Sequence, residues 1–351
     1  MEPLLDILMA KDLMEQAWSH RQALLDQLHA ESTDAYRLFH GATEGIPGLT
    51  IDRYGPLLLL QTFGSPLAPP ERDALADIWL TRLCDIKHVV YNHRSKGPQQ
   101  AFDVWHQPPS EALEPMTCQE MGLRYRIQGR HRGIDPLFFL DMRAGRRYMR
   151  TIAKGASVLN LFSYTCTMGI CAAKAGAREV WNVDFAASNL AIGHENAELN
   201  GLAESPSLRL RFIQEDAIPV MRQLANLPIK GKAGRRPYQR FSSRTFDIVF
   251  LDPPRFARGP FGAVDLVRDY QSLFKPALLA TKAGGILIAT NNLAEVALSD
   301  WQTSLERCAQ KADVPLESIE ILPPETDFPS FDGQHPLKIA LCRLSPKTPH
   351  R

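Results

Sequence analysis

No CxxC pair, no GxGxxG and no GxxxxGK[ST] occurs in this 351-residue sequence. The first absence removes a zinc ribbon or a dithiol redox centre, and the other two leave a dinucleotide-dependent dehydrogenase or a P-loop NTPase without its phosphate loop. No apolar run approaches the roughly 20 residues that cross a bilayer, and the N-terminus does not read as a cationic, apolar signal peptide. A cytoplasmic protein without a membrane partner is the expectation. The six cysteines stand apart from one another and from histidine at zinc-ligand spacing, so reduced thiols and no metal are expected. His93 and His335 read as hydrogen-bonding loop residues.

What is there is an ordinary globular composition, 44% apolar and 23% charged. It is enough for a sizeable core, and the length suggests about two to three domains. The net charge of +1 conceals an asymmetry: residues 123–154 hold nine bases against Asp135 and Asp141, and residues 229–244 hold six against none, so the rest of the chain is acidic. Basic stretches on an acidic body suit a polyanionic partner, because each neutralised phosphate releases counterions. The plainer reading is solvated surface paired with the acidic remainder.

The texture changes along the chain. Residues 1–35 carry apolar side chains at helical spacing and read as a helical arm of one or two amphipathic helices. Residues 36–135 contain short β-like runs, "LTIDRYGPLLLLQTF", "HVVYNH" and "LRYRIQG", punctuated by Gly, Pro and Asn, as in a small α+β domain. Residues 136–346 alternate apolar strand, turn and helix, with strands expected at 157–162, 179–184, 208–216, 246–252 and 285–290. Runs such as "DIVFLD" are apolar on both faces, as in a mostly parallel α/β sheet covered on both sides. Ligands in such sheets bind beyond the carboxyl ends of the strands.

Those ends carry chemistry. The first is the turn "LFSYTCTMG", whose N–H groups at a helix N-terminus can hold an anion and which has Cys166 where glycine is usual. The second ends in Asp184, at the position that accepts ribose hydroxyls in dinucleotide folds, the third in Asp216, and the fourth in Asp252-Pro253-Pro254-Arg255-Phe256. Any one of these acids could be a plain helix N-cap; three in succession point to a ligand edge.

Together "FLDMRAGRR" (139–147), "VLNLFSYTCTMG" (158–169), "VWNVDFAASNLAIGHENAELNGL" (180–202), "FDIVFLDPPRF" (246–256) and "GGILIATNN" (284–292) resemble the class I S-adenosylmethionine-dependent methyltransferases that modify ribosomal RNA bases. The resemblance extends to "RLFHGATEGIPGLTIDRYG" (37–55) and implies a Rossmann-like domain with a mostly parallel seven-stranded sheet behind a small α+β domain and a helical arm. The family's cytosine-C5 enzymes begin with an RNA-binding PUA domain, for which 35 helical residues are too few. The arm looks more like the guanine-N7 half of a bifunctional large-subunit enzyme. By resemblance, Asp184 holds the ribose and Asp216, with Ala217 beside it, the adenine amine. Asn160, Phe162, Tyr164 and Thr165 line the methionine part, and Phe139, Asp141 and Arg143 close over the cofactor. Asp252, Pro253, Pro254 and Phe256 face the target base, supported by Asn291. Ribosomal RNA, naked or in an assembly particle, is the implied partner.

The acceptor atom divides the subfamilies. Carbon-5 of a pyrimidine is a poor nucleophile, so its methylation needs a thiolate that first adds to the ring. In the resembling cytosine enzymes that thiol follows the strand that here reads "ILIATNN", and no cysteine stands there. A guanine N7 carries a lone pair and asks mainly for positioning, which makes it the favoured acceptor. An exocyclic amine is a further nitrogen acceptor, cytosine C5 the alternative, and a cofactor-binding RNA module without turnover a reading motivated only by Cys166. Cys166 itself aligns with a turn glycine on the methionine side and is not expected to be the nucleophile. Residues 229–244 are expected to form a surface loop on RNA, and "DFPSFDGQHPLK" (327–338) resembles the family's closing segment without a chemical role.

Overall fold

In the computed structural model the described residues are 6–94, 114–129, 135–229, 237–259, 262–267 and 269–346. They form two compact units, Met1–Asp141 with Glu325–Gly333, and Met142–Pro324 with Gln334–Arg351.

The first unit begins with one unbroken helix, α1 (Ile7–Ala30), capped by the Asp6 carboxylate, which accepts from the N–H groups of Leu8 and Met9. Its buried residues Ala10, Met14, Ala17, Arg21, Leu25 and Leu28 recur every three or four positions and lie on one face. That face shares a core with β1 (Ala35–His40), β2 (Leu49–Tyr54), β3 (Leu57–Thr62) and β4 (His88–His93), a sheet in the order β1-β2-β3-β4. The helix expected to stand as a separate arm is therefore a layer of the small domain, because its apolar stripe has no other cover. The short α2 (Gly41–Glu44) follows β1, and α3 (Pro69–Leu80) makes the crossover between the parallel β3 and β4. A hairpin, β5 (Met116–Glu120) with β6 (Leu123–Ile127), turns at Met121-Gly122, both at positive φ (50° and 75°) as a two-residue hairpin turn demands.

Residues 325–333 return to this unit and are clasped by charge. The Arg37 main-chain N–H donates to the Asp327 carboxylate (3.0 Å), and the Arg37 guanidinium lies 4.7 Å from the Phe328 ring. Arg21 uses all five of its donors, on the Arg37, Ala17 and Asp327 carbonyls and both oxygens of Glu44.

The second unit is built on a seven-stranded sheet. Its strands are β7 (Ser157–Leu161), β8 (Glu179–Asp184), β9 (Arg209–Gln214), β10 (Phe246–Leu251), β13 (Thr281–Asn291), β14 (Leu316–Leu322) and β15 (Lys338–Leu344), in the order β14-β15-β13-β10-β7-β8-β9. The five central and right-hand strands are parallel, and β15 runs antiparallel to both neighbours. A short hairpin, β11 (Phe256–Gly259) with β12 (Gly262–Asp265), follows β10. One face packs against α7 (Ala217–Leu224), α8 (Tyr270–Leu279) and α9 (Leu298–Lys311), the other against α4 (Arg143–Ile152) and α5 (Thr167–Lys174). Helix α6 (Ala187–Leu199) connects β8 to β9. This is the α/β Rossmann-like arrangement expected from the alternating strand and helix pattern, with the carboxyl ends of β7, β8, β9, β10 and β13 at one edge.

Candidate active site

The turn after β7 is bent harder than its sequence suggests. Phe162, Tyr164 and Cys166 all have positive φ (57°, 48° and 62°), a region that costs non-glycine residues of order 1–3 kcal/mol each. The strain is held by hydrogen bonds: Ser163 N–H to Val183 O (2.9 Å), Tyr164 N–H to the Asp184 carboxylate (2.9 Å), and Asn196 Nδ2 to Thr165 O (2.9 Å). Asp184, at the end of β8, also accepts from Ala186 N–H (2.9 Å) and Asn189 Nδ2 (3.2 Å). Burial pushes its carboxyl above the ordinary value, against those N–H groups.

Cys166 is a buried member of this turn. Its side chain is fully buried, and burial pushes the thiol up to about 12, which disfavours the thiolate at neutral pH. Room for it comes from α6: a Cβ at Gly193 would lie 2.5 Å from Cys166 Sγ. The glycine that the turn lacks thus stands on the facing helix, where it lets α6 approach. A second close approach is at Gly169 of α5, where a Cβ would fall 1.9 Å from Asn182 Oδ1. Asn182 in turn accepts from Asn160 Nδ2 (2.9 Å), its register partner across β7 and β8, and Asn160 Oδ1 is buried without a hydrogen-bond partner among the described residues.

At the end of β9, Asp216 caps α7 by accepting from Ile218 N–H (2.9 Å), with Ala217 buried in the first turn; burial raises the Asp216 carboxyl. At the end of β10, Leu251 pairs with Leu161, so Asp252 leaves the sheet at the level of Phe162. Asp252 is half-buried and accepts from Thr290 Oγ1, while the Thr290 carbonyl accepts from the buried Tyr270 hydroxyl (2.8 Å). Pro253 is buried and Pro254 half-buried. Phe256 opens β11, but its side chain lies outside the described residues. Asn291 is 1% exposed; its Oδ1 accepts from Leu293 N–H (2.9 Å), and its Nδ2 has no partner among the described residues.

Topology therefore brings Asn160, Phe162, Tyr164, Thr165, Asp184, Asp216, Ala217, Asp252 and Asn291 to one edge. Arg143 starts α4 in the same unit and is fully buried, whereas Phe139 and Asp141 belong to the first unit. Sequence reasoning missed Phe185, which is 63% exposed directly after Asp184 and whose signal was the acid-aromatic doublet at a strand end. It also missed Tyr270 and Thr290, whose relay to Asp252 has no sequence signal, since it joins β10, β13 and α8.

The basic stretches are less available than their composition suggests. Arg143 and Arg146 are fully buried. Arg244 pairs with both oxygens of Glu179 (3.1 and 2.8 Å) and stacks on Phe246, so it belongs to the fold. Arg240 stays exposed over the Tyr238 ring (4.4 Å). Residues 230–236, the middle of the expected RNA loop, lie outside the described residues. Among the described residues no helix is long and apolar enough to cross a membrane, and no three His, Cys, Asp or Glu side chains gather as a metal site.

Comparison with known proteins agrees with this fold. Residues 36–343 match the family described as S-adenosylmethionine-dependent methyltransferase. Ribosomal RNA large subunit methyltransferase I of Aeromonas salmonicida is 29% identical over 298 residues, 84% of this chain and 70% of that protein. The enzyme of the same name from Shewanella denitrificans is 28% identical over 91% of this chain and 77% of its own length. Among solved structures, SMU.776, described as a methyltransferase complexed with SAH, superposes with a TM-score of 0.78 at 24% identity, covering 98% of this chain and 83% of that one.

Proposed function

The chain belongs to the family of S-adenosylmethionine-dependent methyltransferases, and from that premise we propose that it methylates a base of large-subunit ribosomal RNA at the edge where β10 and β13 end. The observation that carries the reading is Asp252, a carboxylate oriented through Thr290 and Tyr270 at the level where the strained turn leaves β7. The names of the relatives support the substrate class.

S-adenosylmethionine, when bound, supplies an electrophilic methyl group on a sulfonium. The residues present fit it. Asp184 offers carboxylate oxygens to the ribose hydroxyls and Asp216 one to the adenine amine. Phe185 offers an exposed ring face to the adenine, and Asn160 Oδ1 an unmet acceptor to the methionine ammonium. On the far side of the methyl group, Asp252 and the Pro253-Pro254 turn hold the acceptor base in line, with Phe256 as a stacking surface. Catalysis rests on this positioning, since a methyl group and a base held at attack distance need little further activation when the acceptor is a lone pair.

For the acceptor atom, the relatives support the cytosine-C5 alternative better than guanine N7. A nitrogen acceptor is kept as a second reading by one observation: the stretch directly after β13, residues 292–297, carries no thiol, and Cys166 and Cys342 are both pushed up to about 12 by burial. Labelled-methyl transfer to large-subunit rRNA lacking the modification, followed by nucleoside mass spectrometry, tests both levels. 5-Methylcytidine or an N-methylated base identifies the acceptor. No transfer to naked rRNA or to ribosomal particles would sink the proposal.

A further inference from the structure

The closing segment, residues 327–338, ends in a lysine with unusual surroundings. Lys338 opens β15 directly opposite Asn291, the last residue of β13, so the two side chains leave the same face of the antiparallel ladder. It is 6% exposed, and among the described residues it makes no ion pair with a carboxylate. Its Nζ instead donates to two backbone carbonyls, Leu293 O (2.7 Å) and Pro336 O (3.0 Å). Leu293 is at the same time bound through its N–H to Asn291 Oδ1 (2.9 Å). A single loop residue is thus held at both of its backbone polar groups, one by each member of the Asn291–Lys338 pair.

Burying an ammonium without a carboxylate is expensive, and burial lowers the Lys338 pKa, with Glu295 acting in the opposite direction. Glu295 itself is engaged by Arg255 Nη2 (2.6 Å), which joins the Asp-Pro-Pro-Arg turn to the same loop. An apolar side chain would fill this site at a lower desolvation cost, but only a long donor can hold the Leu293 carbonyl. The consequence falls on Asn291. Because Oδ1 receives the Leu293 N–H, the amide cannot flip without setting two donors against each other, so Nδ2 is fixed as the group with no partner. An unmet buried donor is costly, and a carbonyl or ring nitrogen arriving with the substrate would satisfy it.

We propose that Lys338 is a positioning residue for methyl transfer: by holding the Leu293 carbonyl it fixes the loop after β13, and with it the Asn291 amide, one residue after the Thr290 that hydrogen-bonds Asp252. This rests on the reading of the β10–β13 edge as the acceptor side. Lys338 itself does not touch the base.

The test compares wild type, Lys338→Met, Lys338→Arg, Asn291→Ala and the Lys338→Met/Asn291→Ala double variant. Three readouts are needed: S-adenosylmethionine affinity by calorimetry, hydrogen exchange of the segment 288–297, and single-turnover transfer to rRNA. Lys338→Met is expected to raise exchange in that segment alone, leave cofactor affinity within about threefold, and slow transfer by about 10- to 100-fold. Lys338→Arg, which keeps a donor, should recover part of the rate, and the double variant should be no slower than the worse single one. Unchanged exchange at Leu293, rate losses that multiply, or a slow rate that tracks lost cofactor affinity and general unfolding would each overturn the proposal. Exchange is read without substrate, so a failure of the rRNA assignment, seen as no transfer by wild type, is distinguishable from a failure of the Lys338 role.

Discussion

The clasp of the first unit and the strand-end edge of the second are both buried and polar, yet they treat their polar groups in opposite ways. In the clasp, Arg21 spends all five donors, and Arg37 binds Asp52 through both its Nε and Nη2 (2.7 and 3.0 Å) and His40 Nδ1 through Nη1 (3.2 Å). Burial alone would lower the Arg37 pKa, but Asp52 raises it further and keeps the guanidinium charged. At the strand ends, Asn160 Oδ1 and Asn291 Nδ2 are left without partners among the described residues, and three non-glycine residues of one turn sit at positive φ. The difference teaches where each region's free energy goes: a saturated network holds a returning segment in place, whereas unmet groups and strain are tolerated where a ligand can satisfy them.

If that contrast is right, damage to the clasp should cost stability and damage to the edge should cost chemistry. The largest expected effect is Asp52→Ala, which strands a half-buried guanidinium and should lower the unfolding free energy by about 3 kcal/mol in urea titrations. The cofactor affinity of the remaining folded protein should stay unchanged; a loss below about 1 kcal/mol would show that the network is not what holds the unit. Asp252→Ala should do the reverse, cutting single-turnover transfer by on the order of 10²–10³-fold with the urea midpoint barely moved. An equal loss of stability there would erase the contrast. Gly193→Ala should cost about 1–3 kcal/mol through overlap with Cys166 Sγ, and adding Cys166→Gly should restore most of it. Cys166→Gly alone should leave transfer intact, since a left-handed turn position gains from glycine about what the lost thiol contact removes. Abolished transfer with intact folding and cofactor binding would return the thiol to the chemistry.

The smallest effect concerns His40. Burial, with Arg37 and Arg21 nearby, pushes it down to about 4, and Arg37 can only donate to its Nδ1, so the folded state holds the imidazole neutral. The folded-state value lies below the unfolded 6.5, so the unfolded chain takes up the proton first. Stability from this group is fully present above pH 6.5 and is lost as pH falls toward 4. The urea midpoint of wild type should drop more steeply across that window than that of His40→Gln, and parallel slopes would remove His40 from the clasp.

Much of the edge is legible in the sequence. Apolar runs ending in Asp184, Asp216 and Asp252 are a linear signal, because a parallel sheet puts every carboxyl end on one side. The boundary of the small domain was less legible: α1 reads as an arm until its stripe of Ala10, Met14 and Leu25 is seen against β1–β4, and residues 325–333 join that unit from 184 residues beyond its main segment. The basic stretch at 123–154 misled for a related reason, since net charge along a chain does not tell that Arg143 and Arg146 face inward.

By itself the sequence determined the fold class, the family and the line of acids at the strand ends, because periodicity and strand-end chemistry are local properties of the chain. Only tertiary structure decided that Cys166 is an inert thiol seated in the space left by Gly193, that Tyr270 and Thr290 orient Asp252, and that Lys338 holds the loop beside Asn291. Burial and hydrogen-bond partnership between residues 20 to 45 positions apart set those roles, and neither is written in the neighbourhood of any one of them.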